Sequence, residues 1–92
     1  MENYIGQPLV GKDIDKMFDC FEDMELTKKQ FSVVHMFAAG YSDKIIAAQT
    51  NVSVESVRKH MDAAKVKLGC NNRIEVRMVY LTRVLSLMCS NH

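Results

Sequence analysis

Ninety-two residues, 48% apolar and 25% charged, are enough for one soluble domain with a core of modest size. Four glycines, one proline and no clean alternation of apolar with polar residues exclude a strand-built fold and leave an all-α one. No apolar run approaches a membrane span, and no basic flank precedes an apolar stretch at the N-terminus, so a cytoplasmic protein without a membrane partner is expected. The net charge of +1 conceals an asymmetry: residues 1–25 carry −5 and residues 26–92 carry +6. A basic body attracts polyanions, while an acidic lead segment repels them or shields the body from them.

Cys20, Cys70 and Cys89 lack metal-like spacing and read as buried or free thiols in a reducing compartment, with a redox sensor as the alternative.

In chain order, residues 1–11 contain Gly6, Pro8 and Gly11 and read as an irregular leader. From about 12 to 24, Ile14, Met17, Phe18, Phe21 and Met24 recur at helical spacing, predicting an amphipathic helix that caps the core or meets a partner. Residues 1–25 are thus an acidic extension, and the main domain runs from 26 to 92. Thr27 with Gln30 forms a helix-start signal. The helix that follows buries Phe31, Val34 and Phe37 or Ala38, and Gly40 ends it. Ser42 caps a short helix from Asp43 to about Thr50, with Ile46 and Ala47 inward, and Asn51-Val52 turns the chain. Ser53 caps the next helix, which ends at Gly69; Val57, Met61, Ala64 and Leu68 share one face, which must point to the core. Asn72 with Glu75 starts a long last helix carrying Ile74, Met78, Leu81, Leu85 and Met88.

Two short helices joined by a tight turn, the second polar and basic, have the form that fits a DNA major groove. Placing Ser53 at the cap turns residues 54, 55, 58, 59, 62, 65 and 66 away from the buried stripe. The outer face therefore presents Glu55, Arg58, Lys59, Asp62 and Lys65. Arginine can fork onto guanine O6 and N7, and lysine can do likewise or hold phosphate. Asp62 accepts a hydrogen bond from cytosine N4 or orients Arg58 if it faces DNA. The plainer reading is a surface Arg58–Asp62 ion pair, four residues apart. His60 reads as a partly buried structural residue, and His35 and His92 belong to no constellation.

From Leu26 to about Leu81 the chain resembles the LuxR-type (GerE-like) helix-turn-helix domain. Ala39-Gly40-Tyr41-Ser42-Asp43-Lys44 with Ile46-Ala47 resembles the family's Gly-x-Ser-Asn-Lys-x-Ile-Ala segment. Val52-Ser53, Ser56-Val57-Arg58 and His60 resemble Ile-Ser-x-x-Thr-Val-Lys-x-His, and Lys67-Leu68-Gly69 with Asn72-Arg73 and Glu75 complete the match. The resemblance implies a four-helix domain, here behind an extra amphipathic N-terminal helix, that binds double-stranded DNA through residues 53–68. Position and resemblance together mark Thr27, Ser42, Lys44, Ser56 and Arg73 as phosphate contacts. The resemblance also implies a homodimer through the last helix, with Ile74, Met78, Leu81 and Leu85 as its seam; the same stripe packing within the chain is the simpler alternative. The chain departs from the pattern at Gln30 and Ile45, where the family usually has glutamate, and at Ala64 and Lys65, where larger or more apolar residues are common.

Two functions follow as expectations. One is a sequence-specific transcriptional regulator that binds the major groove as a homodimer. The other is an anti-activator or co-regulator that heterodimerises with a full-length LuxR-type regulator; RNA polymerase is a further conceivable protein partner. No cofactor or metal is expected. An enzyme is not indicated, since the sequence offers no carboxylate pair, partnered nucleophile or glycine-rich phosphate loop. The initiating methionine and the predicted leader helix suggest a whole gene product.

Overall fold

The computed structural model describes Phe18, Asp19 and residues 21–90, with side chains as far as Ser86. A 3-10 turn at Glu22–Met24 leads into four helices: α1 (Lys28–Ala38), α2 (Asp43–Thr50), α3 (Val54–Lys67) and α4 (Arg73–Ser90). There is no strand among the described residues.

Each helix starts where a side chain can satisfy an orphan backbone donor. Thr27 Oγ1 accepts from the Gln30 amide at 3.1 Å while Gln30 Oε1 accepts from the Thr27 amide at 3.1 Å, a reciprocal capping box. Ser42 Oγ accepts from Ile45 N, Ser53 Oγ from Ser56 N, and Asn72 Oδ1 from Glu75 N. The Glu75 carboxylate reaches back to the amide of Asn71, at 2.7 Å. Helix ends fall at left-handed residues: Gly40 (φ 101°), Asn51 (φ 59°) and Gly69 (φ 70°). Past Gly69 the Cys70 amide donates to the Lys65 carbonyl, so the turn that closes α3 satisfies a carbonyl of its last turn.

Val57, Met61, Ala64 and Leu68 are buried, as their spacing requires. They share the core with Phe31 and Val34 of α1, Ile46 and Ala47 of α2, and Val76, Tyr80 and Val84 of α4. The inner face of α1 differs from the sequence expectation. Val33 and His35 are buried, whereas Phe37 and Ala38 are only half-buried. Phe37 instead forms a platform under the guanidinium groups of Arg77 (4.7 Å) and Arg73 (5.5 Å). His35 Nδ1 shares a hydrogen bond with the Tyr80 hydroxyl, 45 residues away.

Most of the predicted helix 12–24 lies outside the described residues, including Ile14 and Met17. Phe18 and Asp19 are helical, and the chain then tightens into the 3-10 turn, closed by Glu25 at φ 60°. Phe21 is fully buried, stacked on Tyr80 at 5.4 Å and tilted against Phe31 at 5.5 Å, and Phe18 meets Phe31 edge-on. The Arg83 guanidinium binds both oxygens of Asp23, at 2.8 and 3.1 Å. Lys67 Nζ donates to the Glu25 carbonyl and to Gln30 Oε1. Phe21, with Phe18 and Met24 packed against the core, therefore ties the described part of the lead segment to the domain.

Candidate nucleic-acid interface

Burying the Val57/Met61/Ala64 face of α3 dictates what its other face shows. Glu55, Arg58, Lys59 and Asp62 are exposed, and Lys65 is half-buried at their edge. Val66, 77% exposed, continues this face toward the C-terminal end of the helix. The result is a mainly polar surface, with two cations near the start of the helix and a mixed-charge stretch beyond.

The ion pairs on this surface are not those suggested by i,i+4 spacing. Asp62 pairs with Lys65, at 3.9 Å, rather than with Arg58. The Nε of Arg58 lies 3.8 Å from Asp43 Oδ2, in the first turn of α2. The other oxygen of Asp43 accepts a hydrogen bond from Arg73 Nη1 at 2.8 Å. One carboxylate thus joins α2, α3 and α4.

The remaining predicted residues take different surroundings. Thr27, Ser42 and Lys44 are exposed at the N-terminal ends of α1 and α2, where backbone N–H groups also point outward. The oxygens of Thr27 and Ser42 accept from their own helices, which leaves each hydroxyl hydrogen for an external acceptor. Ser56 is half-buried, and its Oγ accepts from the Ser53 hydroxyl at 3.2 Å. Arg73 is held by Asp43 and by the Phe37 ring, so it enters any phosphate contact from a fixed position. His60 is half-buried and, with Lys28, Lys29, Val33 and Val52, lines a pocket of about 270 Å³.

On α4, burial of Val76, Tyr80 and Val84 turns a second apolar stripe outward. Ile74, Met78, Leu81 and Leu85 are between 42% and 66% exposed. Sequence reasoning identified this stripe. It missed Asp43, Phe37 and His35 because their partners come from other helices. Helical spacing recommended Asp62, four residues on, as the partner of Arg58, and the structure selects Asp43.

Burial pushes the His35 pKa below its ordinary value, because it disfavours the charged imidazolium. Burial also raises the pKa of the Cys70 thiol, aided by the charge of Glu75. The Arg83 hydrogen bonds lower that of Asp23. No helix among the described residues is long and apolar enough to cross a membrane.

The bacterial regulatory protein family luxR (GerE) matches residues 24–80. Over 68 residues the chain is 32% identical to the nitrate/nitrite response regulator protein NarP of Escherichia coli (strain K12), an alignment covering 72% of this chain and 32% of that protein. The chain therefore spans about a third of the length of that relative. No solved structure matches. The chain belongs to the LuxR family of bacterial regulatory proteins, and its four helices are a LuxR-type helix-turn-helix DNA-binding domain.

Proposed function

We propose that this protein is a sequence-specific, non-catalytic transcriptional regulator of the bacterial cytoplasm that reads the DNA major groove with α3 as a homodimer. The observation that carries this reading is the two-sidedness of α3. Its apolar face is consumed by the core, and its exposed face offers Arg58 and Lys59 with few competing contacts. In this reading Arg58 and Lys59 reach base edges. Asp62 and Lys65 lie further along the groove, while Thr27, Ser42, Lys44, Ser56 and Arg73 hold phosphates on either side.

Homodimerisation through Ile74, Met78, Leu81 and Leu85 supplies what one small domain lacks. A single module covers too little DNA for tight binding, and a two-fold pair on two half-sites doubles the contact. The same stripe supports a second reading, in which α4 pairs with the corresponding helix of a full-length relative and the protein acts as a co-regulator. In both readings residues 26–92 form the DNA-binding domain and residues 1–25 an extension of it.

The test is selection of bound sites from a random DNA library, followed by affinity for the best site at two salt concentrations and sedimentation with and without DNA. An inverted repeat with half-sites about one helical turn apart, bound by a dimer, is the expected outcome. Weak, salt-sensitive binding with no enriched motif would favour the co-regulator.

A further inference from the structure

We propose that Asp43 is a positioning residue for Arg58, fixing which edge of its guanidinium meets a base. This rests on the reading of α3 as the groove-reading helix. It adds a residue on a different helix that decides how well Arg58 discriminates.

The argument begins with Phe37. Its ring lies 5.5 Å below the Arg73 guanidinium and sits at the end of α1, so Arg73 has a fixed shelf. From that shelf Arg73 Nη1 donates to Asp43 Oδ1 at 2.8 Å, a charge-assisted contact that sets the orientation of the carboxylate. With Oδ1 engaged, Oδ2 is the oxygen left for α3, and Arg58 Nε lies 3.8 Å from it. That separation is an ion pair rather than a hydrogen bond.

The consequence lies in guanidinium geometry. Arginine carries five donors in a planar fork, and a forked contact to guanine O6 and N7 can use either the Nη1/Nη2 edge or the edge that includes Nε. An aspartate on the Nε side reserves that side and leaves the Nη1/Nη2 edge for the base. It also removes rotamers that the Arg58 side chain, 64% exposed, would otherwise visit. Fewer orientations mean sharper discrimination between the right base and the wrong one.

The same carboxylate adds a negative charge near DNA phosphates, which works against affinity for every sequence alike. Asp43 is therefore expected to trade general affinity for specificity. A purely structural role, in which Asp43 completes the first turn of α2 and tethers α4 through Arg73, would leave discrimination untouched.

The experiment uses the full chain, the best site recovered from the random library and its single-base variants, with Asp43→Asn, Arg58→Ala, Arg58→Lys and the double variants Asp43→Asn/Arg58→Ala and Asp43→Asn/Arg58→Lys. Asparagine keeps the shape of the side chain and an oxygen for Arg73, and thermal unfolding reports separately on the fold. Arg58→Ala is expected to reduce discrimination at one base pair by roughly tenfold or more. Asp43→Asn is expected to reduce it at that same base pair by roughly 3–10-fold, with affinity for unrelated DNA equal or higher. In the Arg58→Ala background Asp43→Asn should change discrimination no further, and in the Arg58→Lys background, which has no Nε for Asp43 to engage, it should likewise change little. A uniform change in affinity at all sequences after Asp43→Asn, with discrimination intact, would overturn the positioning role and leave the reading of α3 standing. Absence of any discrimination lost on Arg58→Ala would take Arg58 off the reading face, and the positioning role of Asp43 would fall with it.

Discussion

Helices α3 and α4 are built alike and finished differently. Each lays one apolar face into the core, Val57, Met61 and Ala64 from α3 and Val76, Tyr80 and Val84 from α4. Their outward faces diverge: α3 shows Glu55, Arg58, Lys59 and Asp62, and α4 shows Ile74, Met78, Leu81 and Leu85. A charged face is content in water and gains by exchanging counterions for a polyanion. An apolar stripe of four large side chains gains only by being covered. The contrast underlies the proposed division of labour, in which α3 reads DNA and α4 recruits a second copy.

The largest effect should come from mixing up the two faces of α3. Met61→Ala, at a residue 1% exposed, is expected to destabilise the fold by about 2–5 kcal/mol, measured by denaturant unfolding. A comparable truncation at exposed Lys59 should leave stability within about 0.5 kcal/mol. Leu81→Asp comes next. In a two-fold interface each substitution counts twice, so a loss on the order of 2–4 kcal/mol of self-association is expected, with the helical signal unchanged. A wild-type chain that sediments as a monomer with and without DNA would remove the α4 seam. Arg58→Ala should then lose about 1–3 kcal/mol of discrimination at one base pair while the melting temperature holds. An unchanged specificity ratio for the selected site would take Arg58 off the reading face.

The smallest effect concerns the aromatic cluster behind both helices. Burial lowers the His35 pKa in the folded state, so below the ordinary histidine value of about 6.5 the unfolded chain binds a proton that the folded chain refuses. The His35 contribution to stability is therefore expected to be flat above about pH 6.5 and to fall as the pH drops from there toward the lowered folded value. Replacing His35 with a neutral isostere such as glutamine should flatten that part of the profile; an identical profile in the variant would remove His35 as the cause.

Legibility in the sequence followed the range of the interaction. The start of each helix was readable because Thr27, Ser42, Ser53 and Asn72 act on amides three residues away. The buried face of α3 was readable because its apolar spacing has one helical solution. The lead segment was only half readable. Its apolar spacing indicated a docking face, and Phe18, Phe21 and Met24 do pack on the core, but Glu22–Met24 adopts a 3-10 turn rather than the last turn of an α-helix. That difference matters for design, since deleting residues 1–25 would remove the fully buried Phe21 along with the acidic charge.

By itself the sequence determined where each of the four helices starts and which face of α3 turns away from water, since caps, left-handed glycines and periodicity act within one or two turns of chain. The tertiary structure decided the rest. It chose between two apolar stripes on α4, covering Val76, Tyr80 and Val84 and leaving Ile74, Met78, Leu81 and Leu85 outside. It brought His35 to Tyr80 and set Asp43 between Arg58 and Arg73. Those choices depend on which helices lie side by side, and side-by-side placement is a property of the whole packed core that local spacing cannot carry.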